Sequence, residues 1–254
     1  MKLLDTHCHL DFENFDEDRE KLVDEMKRNN IIALTNTTNR ENYEYTKKLF
    51  KDYENIKVCP GLYPQDSEKI SDEELEDYFK LIRKDKDKIV AIGEVGLDRH
   101  HTRDDDLIQI QEKRFRQMID IAIELDKPII IHSRKMEQRV LEIIREVQEK
   151  TGFKKFQLHC FMGKKKLIKD IKELKVYCSI PLSILNTESF QILVNELPVK
   201  QLLVETDSPF LNPSKERNSP LNVPLIYDKI AEIKGYDKKE ITNIIYRNYQ
   251  KLTM

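Results

Sequence analysis

The chain has 254 residues, enough for one large domain or two modest ones, and 39% of them are hydrophobic, which excludes a disordered protein. The net charge of −2 excludes a protein that binds nucleic acid with its whole surface, although it is compatible with a local basic rim. Because no apolar run approaches the roughly 18 residues of a membrane span, we expect no membrane-spanning segment.

The N-terminus and the cysteines bear on the cellular compartment. Residues 1–5 lead directly into a structured motif and do not have the form of a signal peptide. The cysteines lie far apart in apolar, strand-like runs and form no Cys-x-x-Cys pair: Cys8, Cys59, Cys160 and Cys178. These features predict reduced thiols in a cytoplasmic protein, with no structural zinc ribbon.

Short apolar runs alternate along the chain with longer amphipathic stretches. Eight short runs predict strands: Lys2–His9, Ile31–Thr37, Ile56–Gly61, Ile89–Val95, Pro128–Ser133, Phe156–Phe161, Val176–Ile180 and Gln201–Asp207. Apolar residues that recur every three or four positions predict helices at Asp16–Asn29, Asp104–Leu125 and Arg134–Lys150. Capping-box sequences at Ser71 and Asp237 predict two more helices, the second of them at the C-terminus.

The repeated order of strand and helix predicts the fold. Eight such repeats in about 250 residues predict a parallel eight-stranded TIM (β/α)8 barrel, with an extra C-terminal helix. The competing fold is an open doubly wound sheet, which usually carries a glycine fingerprint after its first strand, where His7-Cys8-His9 stands here. Because no linker or low-complexity tract interrupts the chain, we expect one domain over residues 1–254.

The histidines are concentrated at predicted strand ends. Four of the six lie there, together with two acidic residues: His7, His9, His132, His159, Glu94 and Asp207. Side chains alternate along a strand, so His7 and His9 point to the same face. The C-terminal ends of all strands share one rim of a parallel barrel, so these six side chains are expected to converge there.

The number and type of these side chains predict a metal centre. Four imidazoles and two carboxylates are too many ligands for one tetrahedral zinc ion. They suit two divalent ions roughly 3.5–4 Å apart, with a carboxylate between them. Mixed nitrogen and oxygen ligands favour Zn, Mn, Co, Ni or Mg over Ca. A single strand-end histidine is more often a hydrogen-bonded rim residue, so the prediction depends on the whole set.

Six motifs in order resemble those of a known family: Asp5–Asp11, Ala91–Asp98, Ile131–Arg134, His159–Phe161, Glu205–Pro209 and Arg217–Pro220. From residue 1 to about 252 the chain resembles the TatD family of metal-dependent deoxyribonucleases, in the amidohydrolase superfamily. The resemblance implies a TIM barrel with a two-metal site that cleaves DNA phosphodiester bonds, often as a 3′ exonuclease. It further implies that His7, His9 and Asp207 hold one ion, that His132 and His159 hold the other, and that Glu94 bridges them.

One motif departs from the family pattern. The family usually has Gly-x-His-Pro-His after the third strand, and this chain has Gly61-Leu62-Tyr63-Pro64-Gln65, without either histidine. These positions would face the substrate, and Tyr63 keeps one hydrogen-bond donor but stays neutral near pH 7. His100 or His101, after the fourth strand, is a candidate replacement donor, with a solvated loop histidine as the alternative.

Further residues are candidates for binding the substrate. Arg134 is predicted to contact phosphate through both guanidinium arms, or else to form a salt bridge at a helix start. The Lys164–Lys166 run would track a nucleic-acid backbone, or is simply a solvated helix face. Tyr63 and Phe161 are candidates for stacking on a base, with core packing as the alternative for Phe161. Glu205 is expected to support a ligand histidine.

The predicted reaction is hydrolysis of a DNA phosphodiester by water that two metal ions activate, with Asp207 and Glu94 as the catalytic carboxylates. The alternative enzyme is an ester or amide hydrolase of the same superfamily, such as a D-aminoacyl-tRNA deacylase, so RNA or aminoacyl-tRNA stays open as the substrate. A third alternative is a binding protein that keeps its metals for stability. The oligomeric state stays open too, and a monomer is compatible with the sequence.

Overall fold

The computed structural model describes residues 2–254, and all eight predicted strands are present in it. Each neighbouring pair of strands within a ladder is parallel. The strands are β1 Leu3–Cys8, β2 Ile31–Asn36, β3 Ile56–Cys59, β4 Ile92–Asp98, β5 Ile129–Arg134, β6 Phe156–Leu158, β7 Tyr177–Ile180 and β8 Leu202–Val204. Several are shorter than predicted, so His9, His159 and Asp207 lie just beyond strand ends.

Ten α-helices lie within residues 2–254: α1 Arg19–Arg28, α2 Arg40–Leu49, α3 Pro64–Ser67, α4 Asp72–Lys84, α5 Asp105–Glu124, α6 Glu137–Thr151, α7 Ile168–Leu174, α8 Glu188–Glu196, α9 Val223–Lys234 and α10 Lys238–Thr253. The predicted start of α6 at Arg134 is wrong, because Arg134 is the last residue of β5 and Lys135 has a left-handed φ of 60°. None of these helices combines the length and apolarity needed to cross a bilayer.

The strands close into the predicted barrel through two ladders. One ladder joins β1, β2 and β3, and the other joins β4 to β8 in order. Between the ladders the chain uses isolated hydrogen bonds, from Gly93 N to Pro60 O (2.8 Å) and from Asp207 N to His7 O (2.9 Å). Pro60 directly follows β3 and has no N–H to continue the ladder, which accounts for one interruption. The TIM barrel prediction is therefore confirmed, with α10 as the extra C-terminal helix.

The fourth strand differs from its prediction in a way that affects the site. The sequence predicts Ile89–Val95 with Glu94 at the end, whereas β4 runs Ile92–Asp98 and contains Glu94 near its start. The register of β4 against β5 shifts between Ile92 and Val95. Irregularities of this kind re-aim a side chain, and here Glu94 reaches the mouth of the barrel from within the strand.

The helix caps agree with the sequence motifs. Ser71 and Glu74 form a reciprocal capping box at the start of α4. The Asp237 side chain accepts a hydrogen bond from Glu240 N (2.7 Å) at the start of α10. Such a cap stabilises a helix by about 1 kcal/mol. On its apolar side α10 buries Ile241, Ile245 and Leu252 against the barrel core.

All four cysteines are free, as predicted. Cys8, Cys59 and Cys178 are buried, while Cys160 is partly exposed beside His159. Burial raises the pKa of the Cys160 thiol well above its usual range. A thiol that stays protonated is a poor nucleophile, so these cysteines are expected to be structural.

Candidate metal centre

Glu94 lies at the centre of the converging side chains. Its Oε1 is 2.8 Å from His132 Nδ1 and 3.1 Å from His159 Nε2. Its Oε2 is 3.7 Å from His9 Nε2 and 3.8 Å from His7 Nε2. Each oxygen of this one carboxylate therefore faces a different pair of histidines.

Asp207 completes the side of the centre that contains His7 and His9. Its Oδ1 lies 3.4 Å from His7 Nε2 and 3.6 Å from His9 Nε2. One group of possible ligand atoms, all within 4.8 Å of one another, comes from His7, His9 and Asp207, and another comes from His7, Glu94 and His159. The second group contains His7 in place of the expected His132. The structure thus brings all six predicted ligands to one place.

Unpartnered nitrogen atoms test whether these residues fit a metal. His7 is fully buried, and within residues 2–254 neither of its ring nitrogens has a hydrogen-bond partner. Leaving a buried polar group unpaired costs about 1–3 kcal/mol. The His7 ring also stacks on the His159 ring, with centroids 3.9 Å apart. A cation bound by His7 Nε2 and its neighbours would remove this penalty at Nε2, and imidazole nitrogens with carboxylate oxygens suit a divalent transition metal.

The protonation of the site follows from burial and nearby charge. Burial acts to lower the pKa of His9, but the neighbouring carboxylates of Asp207 and Glu94 outweigh it and raise the pKa to about 9. Burial acts to raise the pKa of Glu94, but His159 and His132 hold it well below its usual range. Without a metal, the carboxylates are therefore ionised and protons occupy imidazoles, which a cation would displace on binding.

Two outer contacts orient the candidate ligand histidines. His9 Nδ1 lies 2.9 Å from Asn36 O, so the ring donates there and leaves Nε2 free. Behind His159, the buried carboxylate of Glu205 accepts from Cys160 N (2.7 Å), and its Oε1 is 3.5 Å from His159 Nδ1. This position agrees with the expected supporting role of Glu205.

Asp98 is a functional candidate that the sequence analysis quoted only as part of a motif. It is fully buried at the end of β4, and its Oδ2 lies 3.0 Å from His132 Nε2. Two-residue periodicity along β4 places Asp98 on the same face as Glu94, and this signal could have identified it.

The three predicted substrate contacts all lie near the mouth. Arg134 is exposed and lines a cavity of about 180 Å³ together with His132, His159 and Asp207. The Tyr63 ring packs edge-on against His132, with centroids 5.2 Å apart, and burial raises its pKa, so Tyr63 stays neutral. Burial and the nearby cations of Arg134 and Lys135 lower the pKa of His100. Whether these side chains contact a substrate stays a prediction.

The aromatic residue predicted for stacking beside His159 is not available at the surface. Phe161 is 2% exposed and packs in the core, so the core alternative is correct. The structure instead exposes apolar side chains that the sequence analysis missed: Met162, Phe210 and Leu211. They follow His159 or Asp207 by a few residues, and this proximity is the signal that could have found them. Lys164–Lys166 are exposed, and two of the three precede α7 in a short 3-10 turn, Lys165–Leu167.

Comparison with known protein families identifies the family of this chain. The sequence profile described as TatD related DNase matches residues 4–253. The chain belongs to the TatD family. This membership agrees with the closed barrel and with the cluster of histidines and carboxylates at its mouth.

Several TatD-family relatives match over nearly the full chain. A protein described as an uncharacterized metal-dependent hydrolase in Methanocaldococcus jannaschii is 31% identical over 249 residues, which cover 98% of this chain and 95% of that protein. Deoxyribonuclease TATDN3 of Homo sapiens is 31% identical over 262 residues, covering 98% and 94%. The crystal structure of YJJV, a TatD homologue from Escherichia coli K12, superposes with a TM-score of 0.87 at 25% identity, covering 99% and 97%. This TatD-family chain is therefore a metal-dependent hydrolase.

Proposed function

We propose that this TatD-family hydrolase cleaves DNA phosphodiester bonds, as a 3′ exonuclease, with two divalent cations at the mouth of its barrel. The observation that supports this most directly is the position of Glu94, whose two oxygens face two different pairs of histidines. A carboxylate in this position can bind two ions at once, as in two-metal hydrolases. The relationship to deoxyribonuclease TATDN3 supports DNA as the substrate.

The proposed ligand sets follow the two sides of Glu94. His7, His9 and Asp207 would hold one ion, and His132 and His159 would hold the other. Bound divalent ions lower the pKa of water and stabilise negative charge on a phosphate. Zn, Mn, Mg, Co and Ni are all compatible with these donor atoms.

Asp207 and Glu94 are the proposed catalytic carboxylates. Burial acts to raise the pKa of Asp207, but the neighbouring imidazoles of His7 and His9 and the charge of His159 hold it well below its usual range. The carboxylate is therefore ionised at neutral pH and can accept a proton from water beside it. Arg134, which lines the same cavity, would bind a phosphate through both guanidinium arms. Tyr63 and His100 would add hydrogen-bond donors at the rim.

The test is a comparison of substrates with metal-stripped protein reloaded with Mg, Mn, Zn, Co or Ni. Single-stranded DNA labelled at its 5′ end, RNA and a D-aminoacyl-tRNA are offered in parallel, with His132→Ala as the control variant. We expect 5′-labelled DNA to shorten stepwise only with wild-type protein and metal. Ester release from the tRNA with intact nucleic acid would replace the nuclease with the deacylase. Absence of any product with every metal would overturn the proposal.

A further inference from the structure

An exposed aromatic ring lies at the edge of the metal centre. Phe210 follows Asp207 by three residues, and 50% of its surface is exposed. Its ring centroid lies 6.3 Å from that of the candidate ligand His9 and 6.0 Å from that of the partly buried Phe12. Phe12 itself stacks on His9, with centroids 4.8 Å apart. Phe210 therefore presents a half-exposed aromatic ring beside a candidate metal ligand.

The backbone that carries Phe210 is firmly held. Phe210 N donates to Asp207 O (2.8 Å), and the buried Asn218 side chain donates to Phe210 O and to Thr206 O (2.8 Å each). The next residue, Leu211, has a left-handed φ of 59°, which a bulky side chain adopts only where the surroundings impose it. The ring is therefore held in a defined place, and a half-exposed aromatic ring can stack on a planar ligand.

Cations without an ion-pair partner lie around the same mouth. Arg134 lines the cavity together with Met162 and Leu211, and Lys135, Lys164 and Lys166 line the groove beside it. No carboxylate within residues 2–254 pairs with any of these four cations, although nearby Arg139 and Arg145 are paired with acidic residues. The mouth thus combines the exposed Phe210 ring with cations that have no ion-pair partner, and Glu137 also lines the cavity and the groove. Aromatic rings and cations together bind the bases and the phosphates of nucleic acids.

We propose that Phe210 is a stacking platform for the base next to the scissile phosphate. This inference depends on the nuclease activity proposed above. A base inside a duplex is already stacked on both faces, whereas an unpaired base can place one face on the Phe210 ring. Because every base has a π-face, the platform would tolerate any sequence. The cations of Arg134, Lys135, Lys164 and Lys166 would hold the neighbouring phosphates.

The experiment compares Phe210→Ala and Phe210→Trp with Leu225→Ala. Leu225 is similarly exposed, at 47%, and lies on α9. Steady-state hydrolysis is measured on a single-stranded oligonucleotide, on the same strand with an abasic terminal position, and on a blunt duplex. Binding is measured separately from the emission of 2-aminopurine at the 3′ end of a strand whose terminal linkage is a non-hydrolysable phosphonate.

We expect Phe210→Ala to raise KM on the single strand about tenfold, a loss of ~1.4 kcal/mol. Phe210→Trp should restore KM, and Leu225→Ala should match wild type. Removing the terminal base should raise the KM of the wild-type protein by a similar factor. It should leave the KM of Phe210→Ala unchanged. Wild type should prefer the single strand over the blunt duplex, and it should quench 2-aminopurine where Phe210→Ala does not.

Two results separate the inference from the function on which it depends. An active nuclease in which Phe210→Ala matches Leu225→Ala on every substrate and in 2-aminopurine emission would overturn the platform alone. Wild-type protein that cleaves no nucleic acid but quenches 2-aminopurine through Phe210 would overturn the proposed function and leave the base-stacking site standing.

Discussion

His101 and His132 are joined through one buried carboxylate. Asp98 Oδ2 lies 2.8 Å from His101 Nδ1 and 3.0 Å from His132 Nε2. The backbone N–H groups of His100 (2.6 Å) and His101 (3.0 Å) donate to its other oxygen. Asp98 is thereby fixed in place and holds the His132 ring so that Nδ1 faces Glu94. A carboxylate behind a ligand histidine both orients the ring and makes it a better donor.

Asp98→Asn is therefore expected to weaken metal binding by about 10- to 100-fold. The amide has no negative charge and cannot accept hydrogen bonds from both rings in the same way. Calorimetric titration of the metal-free variant with Mn or Zn measures the effect. Asp105→Asn removes an exposed carboxylate on α5 that pairs with Arg99, and it should bind as wild type does. Equal affinities for the two variants would show that Asp98 does not position His132.

The six candidate ligands could be predicted because chain order and strand periodicity determine their place in a parallel barrel. His-x-His at the first strand puts two imidazoles on one face, and strand ends far apart in sequence share one rim. The position of Glu94 within its strand could not be predicted. Gly96 interrupts the apolar pattern after Val95 before Leu97 resumes it, and the register shift within β4 depends on pairing with β5.

The exposure of the aromatic residues around the mouth also could not be predicted from the sequence. Phe161 and Phe210 both follow a strand end closely, yet one is buried in the core and the other is half exposed. The backbone turns sharply before Phe161, at Cys160 with a φ of 42°. Cysteine gives no signal for a left-handed conformation, which a glycine or asparagine would have given.

Arg134→Ala is expected to raise KM for DNA about tenfold, because a charge-assisted hydrogen bond to phosphate contributes about 1.5–3 kcal/mol. The loss of one cation should also reduce the dependence of KM on salt concentration. Steady-state assays at two ionic strengths measure both effects, and Arg134→Lys should recover only part of the affinity because it cannot bind phosphate through two arms. Arg99→Ala, at an exposed arginine paired with Asp105, is the matched control. An unchanged KM for Arg134→Ala would leave this side chain without a role in substrate binding.

Gly96 allows β4 to approach β5 closely beside the candidate metal centre. Its φ is +148°, and a Cβ there would lie 2.0 Å from His132 O. Gly96→Ala should therefore push the backbone of His132 outward, destabilise the fold by about 2–3 kcal/mol, and weaken metal binding. Urea unfolding and metal titration measure the two effects.

Gly152→Ala is the control for backbone conformation alone. Gly152 has a φ of +75°, but nothing lies within 4 Å of its would-be Cβ. The free energy of unfolding of this variant should fall by about 1 kcal/mol, because alanine is strained in the left-handed conformation. Its metal affinity should be normal. If Gly96→Ala behaved in the same way, the close approach of the two strands would not matter for the site.

Glu112 joins α5 to α6, the helix that follows β5 and His132. Its carboxylate accepts from the guanidinium groups of Arg116 (3.0 Å) and Arg139 (2.7 Å). The hydrogen bonds from Arg139 lower the pKa of Glu112 against the opposing effect of burial. A carboxyl group with a lowered pKa stabilises the fold fully above its unfolded pKa of about 4.3, and the stabilisation disappears as the pH falls through the folded pKa.

Glu112→Gln is therefore expected to reduce the free energy of unfolding by about 1 kcal/mol at pH 7 and by much less near pH 3. Urea unfolding of metal-free protein at both pH values measures the difference without interference from ligand binding. Glu149→Gln, at an exposed glutamate on α6 with no ion-pair partner within residues 2–254, should match wild type at both pH values. Once the wild-type carboxyl is protonated, it no longer makes the charge interaction, so the two proteins should then be equally stable. If Glu112→Gln lowered the free energy of unfolding as much at pH 3 as at pH 7, the Gln side chain would be disturbing packing instead.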